Sequence, residues 1–210
     1  MPHKNVIRSF APDSVYHSYN RGVEKRQIFM DEQDYGVFLA RLKQMLIDPQ
    51  NLSHAERLDH VKSYFGDIEL VAYCLMPNHF HLLLYQKSER ALAEFMRTLS
   101  TSYTMYFNIR YDRVGSLFQG TYKARRIVDE ADWLHISRYI HLNPFAMEGE
   151  YIYYPYSSFQ AYIVPEVRPK WLLPDRALAM FDSATDYASF VNSYASESQH
   201  EDIQQHYKLE

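Results

Sequence analysis

The chain has 210 residues, a single cysteine (Cys74), 19 tyrosines and a formal net charge of −4. A chain of that length buries a core without cross-links, and one cysteine excludes both a disulfide framework and a cysteine-built zinc knuckle. No stretch approaches the roughly 20 apolar residues that span a bilayer, and no apolar run follows the basic residues before Phe10, so we expect a soluble, cytoplasmic protein with no membrane partner.

Val15 to Asn20 is rich in strand formers and ends in the turn signal Asn20-Arg21-Gly22, which predicts a first strand. Asp31 is placed to N-cap a helix through Leu46, with Tyr35, Phe38, Leu39, Leu42 and Leu46 on one face. Asp48 to Ser53 breaks that helix, and Ala55 to Phe65 predicts another turn or two. Ile68 to Met76 reads as a buried strand, Pro77-Asn78 as a tight turn, and His79 to Gln86 as the returning strand of a hairpin. Ala91 to Arg110 is the longest helical pattern, carrying Leu92, Phe95, Leu99, Tyr103 and Tyr106 at three- and four-residue spacing. Gly115 opens an extended segment to about Val128, and Asp129 caps a last helix that stops before Pro144.

That order predicts an α+β fold: a ferredoxin-like antiparallel sheet with helices packed on it and an extra C-terminal helix. Beyond Met147 the pattern weakens. We therefore divide the chain into a principal domain, 1–163, and a C-terminal extension, 164–210, that is acidic and partly irregular. From Ser183 onward the polar composition predicts a segment peripheral to the core, removable without loss of folding.

Charge is unevenly distributed. Phe181 to Glu210 holds six acids against Lys208 alone, whereas Arg97 to Ile127 holds six cations against Asp112 alone. The basic stretch also contains Tyr103, Tyr106, Phe107, Tyr111, Phe118 and Tyr122. Cations for phosphates interleaved with flat rings for bases suit single-stranded nucleic acid. A solvated helix face followed by a charged strand would give the same composition.

Two short motifs carry chemistry. In Met76-Pro77-Asn78-His79-Phe80-His81-Leu82, strand alternation puts both imidazoles on one face, about 7 Å apart along the strand, with Phe80 and Leu82 on the other. Two imidazoles make an open site for a divalent ion, although a bare His-x-His is more often two polar residues on a solvent face. In Arg138-Tyr139-Ile140-His141-Leu142-Asn143-Pro144, Tyr139 and Asn143 stand one helical turn apart. The amide offers an oxygen to a hard cation and the phenol offers a nucleophile, which a nearby cation must assist because its ordinary pKa is near 10. Read alone, this segment is ordinary helix-end chemistry.

Taken together and in order, Tyr19-Asn20-Arg21-Gly22, the Leu75–Leu83 hairpin, Gly115-Ser116-Leu117-Phe118-Gln119-Gly120 leading into Tyr122-Lys123-Ala124, and Tyr139–Pro144 resemble the IS200-type single-tyrosine transposases. Within them the chain is most similar to the REP-associated tyrosine transposases of bacteria. The resemblance implies His79, His81 and Asn143 as ligands of Mg2+ or Mn2+ and Tyr139 as catalytic nucleophile. It also implies cleavage and rejoining of single-stranded, hairpin-bearing DNA through a 5′-phosphotyrosine link, at the bacterial nucleoid. For the DNA track we expect Arg97, Arg110, Lys123, Arg125 and Arg126. Monomer and homodimer both remain open. Tyr103 and Tyr106 compete for the nucleophile role, and Arg138 is a candidate cation for the Tyr139 phenolate. The alternative from another class is a catalytically silent, domesticated protein that grips hairpins and cuts nothing. The geometric expectation is that His79 and His81 face one concave surface with Asn143 near enough to share an ion.

Overall fold

A computed structural model describes residues 10–59, 61–146 and 151–196. Strand β1 (Ser14–Arg21) leads through a tight loop to helix α1 (Glu32–Leu46), whose N-cap Asp31 accepts from the backbone of Gln33 and Asp34. Then come β2 (Ile68–Met76), β3 (His79–Gln86), helix α2 (Ala91–Arg110), β4 (Lys123–Ile127) and helix α3 (Glu130–Leu142). The four strands form one sheet in the order β2-β3-β1-β4, and every neighbouring pair is antiparallel. This is the ferredoxin-like order expected from the element sequence, with α3 as the additional helix.

Strand alternation divides the side chains of the sheet between two layers. On one face Tyr16, Tyr73, Leu75, Phe80, Leu82, Leu84 and Ala124 join α1 and α2 in an apolar cluster. On the other, Val15, Ala72, Cys74, Met76, Leu83 and Ile127 meet Ile136 and Ile140 of α3. A register shift between Leu70 and Ala72 interrupts the alternation in β2. Each face has one tryptophan: Trp171 stacks on Tyr73 in the first cluster, and Trp133 of α3 packs against the second.

Two segments are less regular than their sequence patterns predict. Between Ala55 and Phe65 the described residues hold only the end of a single 3-10 turn, His54–Glu56, and of the Gly115–Val128 segment only Lys123–Ile127 pairs as a strand. The intervening stretch makes one isolated bridge, Gly22 to Phe118.

The C-terminal region departs furthest from expectation. After α4 (Phe159–Ile163) and α5 (Asp175–Leu178), helix α6 (Ala184–Ser196) packs on α3 and α4. Tyr187 and Val191 of α6 are fully buried in the α3-side cluster. The segment from Ser183 is therefore not peripheral through Ser196: its composition is polar, but its few apolar residues fall on one helical face and meet the core. Residues 197–210 lie outside the described residues. Among the described residues no helix is long and apolar enough to cross a membrane.

Candidate active site

The hairpin turn that introduces the histidine strand is held by the loop after β1. Gly22 N–H donates to the Asn78 carbonyl at 2.9 Å, and the N–H groups of Ile28 and Phe29 donate to the Pro77 carbonyl at 2.7 and 3.1 Å. Glu24 and Lys25 both lie in the left-handed region, at φ 57° and 60°. A Cβ at Gly22 would stand 2.2 Å from the Arg26 carbonyl oxygen, so only glycine fits there. The turn residue Asn78 is fixed as well, since its amide nitrogen donates to the Lys25 carbonyl at 3.4 Å.

His79 and His81 project toward α3, their ring centroids 5.0 Å apart at 87°. Asn143 follows the last residue of α3, and its Oδ1 stands 3.1 Å from His79 Nε2 while its Nδ2 donates to the Tyr139 carbonyl at 3.3 Å. On the other side of the ring, His79 Nδ1 is 2.6 Å from Asn78 Oδ1. An amide oxygen thus faces each nitrogen of one imidazole. Burial is the chief reason that His79 titrates low, at about 4, with the Asn143 contact opposing and Arg21 adding to it. A neutral imidazole has one N–H. One of the two oxygens therefore faces a ring nitrogen that carries no proton; with the proton on Nδ1, toward the nearer Asn78, that nitrogen is Nε2, facing Asn143.

In that tautomer two acceptors stand 3.1 Å apart, which a hard cation reconciles. Adjacent ligands of an octahedral Mg2+, each at about 2.1 Å, stand about 3 Å apart. The donor set fits such an ion on that ground. Among the described residues no group of three or more His, Cys, Asp or Glu side chains could hold a metal; this set is two imidazoles and an amide.

The surface is not the open concavity expected. His81 is 0% exposed, because α3 lays the Tyr139 ring against it with centroids 5.2 Å apart at 84°. His17 lies beneath the same ring at 6.0 Å, and its Nε2 is 2.9 Å from His81 Nδ1. Desolvation, then the Arg125 charge, lowers the His17 pKa to about 3, and desolvation, then His79, His17 and Arg21, holds His81 well below the usual imidazole value. The site therefore has a neutral imidazole floor roofed by a phenol.

Helix α3 is fixed from behind. His141, fully buried, contacts Tyr187 Oη of α6 at 2.6 Å and Ser158 Oγ at 2.7 Å, and Ser158 Oγ accepts from the Tyr73 N–H of β2 at 2.9 Å. Arg138 lies over the rings of Phe190 and Tyr194, 4.5 and 4.0 Å from their centroids. Arg138, the cation expected to serve the Tyr139 phenolate, thus also ties α3 to α6. The competing tyrosines are used elsewhere, on the α1–α2 side: Tyr103 Oη donates to the Ile28 carbonyl and Tyr106 Oη to Asp34.

The five expected DNA-track cations do not form one track. Arg110 pairs with Asp31 at 2.6 Å and with the fully buried Asp34 at 2.7 Å, a structural role in the α1–α2 layer. Arg97 is exposed on α2, and alternation turns exposed Arg126 to that same side of the sheet. Only Lys123 and Arg125 share the histidine face; Lys123 lies 5.4 Å from the Tyr19 ring centroid, and Arg125 contacts Asp132 of α3 at 2.6 Å.

Sequence reasoning missed His17 and gave no site role to Tyr19 and Arg21, although both stand in the first of the motif segments. Period-two alternation makes them one face of β1, and the pairing of Tyr19 with His81 and Arg21 with His79 brings that face to the site. The alternation was legible, but the pairing partner was not.

Comparison with known proteins gives the fold and the family. A solved structure described as a REP-associated tyrosine transposase bound to a REP hairpin superposes with a TM-score of 0.56 at 14% identity, covering 81% of this chain and 91% of that one. At that identity the likeness shows the fold. A protein from Deinococcus radiodurans R1 described as a candidate transposase matches at 20% identity with a TM-score of 0.39, covering 67% of this chain and 95% of its own. The tRNA(His) guanylyltransferase of Saccharomyces cerevisiae matches at 7% identity with a TM-score of 0.41, covering 93% of this chain and 81% of its own. No curated protein matches the chain. The family described as "Transposase IS200 like" matches residues 37–143, which is half of the chain and includes His79, His81, Tyr139 and Asn143. The chain belongs to the IS200-like transposase family, and is a DNA-processing enzyme of the transposase class.

Proposed function

We propose that the protein cleaves and rejoins single-stranded, hairpin-bearing DNA, with Tyr139 as the attacking nucleophile. One observation carries this reading: the Tyr139 ring lies 5.2 Å from His81, on the face where His79 and Asn143 converge at 3.1 Å. The Tyr139 oxygen attacks the scissile phosphorus in line, and the bond to the 3′ oxygen breaks. The product is a 5′-phosphotyrosine and a free 3′-hydroxyl. Rejoining reverses the step at another 3′-hydroxyl and needs no external energy, because the phosphotyrosine retains the diester. Bound by His79, His81 and Asn143, Mg2+ or Mn2+ would supply Lewis-acid stabilisation of charge on the phosphoryl oxygens. Closure of the ring over His81 excludes water from the floor. Lys123 and Arg21, at the rim of that face, are the cations best placed for the strand's phosphates. Hairpin DNA as the ligand class draws support from the solved structure that superposes at 0.56, which is a complex with a REP hairpin.

The test is covalent capture. Full-length protein, labelled hairpin-bearing single strands and Mn2+ should give a denaturation-resistant adduct, and Tyr139→Phe, which deletes only the hydroxyl, should abolish it while hairpin binding persists. An adduct that survives in Tyr139→Phe would move the nucleophile elsewhere. Binding without any adduct from the wild type would favour the silent hairpin-binding reading.

A further inference from the structure

Each imidazole of the proposed metal pair has its Nδ1 held by a neighbour. For His79 the partner is Asn78 Oδ1, at 2.6 Å from Nδ1. For His81 it is His17 Nε2, at 2.9 Å from Nδ1. The two arrangements correspond atom for atom, with the neighbour at Nδ1 in both and Nε2 the nitrogen on the far edge of the ring. A ligand histidine needs its lone pair on one defined nitrogen, and the group that accepts from the other nitrogen fixes which one.

His17 is well placed for that task. The sheet register sets Tyr19 opposite His81, so His17 is its diagonal neighbour, one alternation step along β1. The two rings are 5.1 Å apart at 19°, with His17 1% and His81 0% exposed. Tyr19 packs against both rings, its centroid 4.9 Å from that of His17 at 24° and 5.8 Å from that of His81 at 30°. In this packing His17 cannot turn without displacing two rings. Strand β1 lies in the middle of the sheet, paired on both sides, so its backbone does not relax either.

We propose that His17 is a positioning residue for His81: its Nε2 lone pair accepts the Nδ1–H of His81, so that His81 presents an Nε2 lone pair to the divalent cation. The role rests on the metal-site reading above, but it makes a statement about the protein without metal as well. With His17 removed, the His81 proton is free to sit on either nitrogen, and only one of those tautomers is a ligand.

Two measurements separate the inference from the reading it rests on. The first needs no metal. In full-length, 15N-histidine-labelled protein, ring correlation spectra should show His81 protonated on Nδ1, and His17→Phe, which keeps a ring in place, should give a mixture of tautomers. A wild-type His81 protonated on Nε2 overturns the inference, whatever the metal does. The second is Mn2+ titration by calorimetry. His17→Phe should bind about 10- to 100-fold more weakly than wild type, and His17→Gln, which restores an acceptor at similar reach, should recover most of the difference. Equal Mn2+ affinity in wild type and His17→Phe overturns the inference while leaving the metal site intact. If the wild type binds no Mn2+, the metal reading fails, and the ring spectra alone decide whether His17 orders His81. Should His17→Phe fail to fold, the wild-type spectra and His17→Gln still decide the question.

Discussion

Toward α1 and α2, the strands β1 and β3 present Tyr16, Phe80, Leu82 and Leu84; toward α3 the same two strands present His17, Tyr19, Arg21, His79 and His81. Residues adjacent in sequence thus serve opposite ends, and the period of two along a strand separates them. The apolar face is closed on itself, with Phe38, Phe80 and Tyr103 in ring contact within 5.3 Å. On the polar face His17 and His81 are buried as well, but they meet through one ring nitrogen each and stay neutral. What differs is whether a buried group has any chemistry left to offer.

That contrast can be broken from either side. The largest effect on stability belongs to the apolar face: Phe80→Ala should lower the unfolding free energy by about 3–5 kcal/mol, read in urea, because it removes a fully buried ring between α1 and the sheet. An unchanged midpoint would mean that this face is not the principal core. A smaller loss, about 1–3 kcal/mol, is expected for Tyr187→Phe, which leaves buried His141 Nδ1 without its hydroxyl partner. Its second readout is more telling. If α6 holds α3 in register, the variant should also slow covalent capture by Tyr139, whereas a stability loss with unchanged capture would confine α6 to a structural role.

The smallest effect divides the cations. Lys123→Ala should leave folding intact and reduce the log–log salt slope of single-strand binding by about 0.7, the value for one phosphate contact. Arg110→Ala should do the reverse, lowering the denaturation midpoint with no change in slope, since it strips buried Asp34 of its partner. Equal slopes for the two variants would restore Arg110 to the DNA track.

How much of this was legible depended on the range of the signal. Local signals are legible to the residue: the Asp31 cap, the Pro77-Asn78 turn and the Ala91–Arg110 helix rest on spacing within a few positions. The His79–His81 pair is visible for the same reason. His17 is not, because it reaches His81 only through the β1–β3 register, 64 positions away. The tail misleads for a related reason. Average polarity from Ser183 onward reads as solvent-exposed, but burial of α6 depends on Tyr187 and Val191 falling on one face and finding His141 and Ile140 there. Arg110 looks like a partner for phosphate in the sequence because a charge count does not see the carboxylates that Asp31 and Asp34 supply from α1 and its cap.

The placement of the two tryptophans gives the protein an optical readout of its own. The sequence contains two, Trp133 on α3 and Trp171 against Tyr73 on the opposite side of the sheet. Each indole therefore reports one layer. In a Trp171→Phe background the remaining emission comes from the helix that carries Tyr139, and its wavelength and quenching follow the docking of that helix. In a Trp133→Phe background the signal follows the apolar layer alone. Local release of α3 and global unfolding can then be told apart by intrinsic fluorescence, without attaching a label to either.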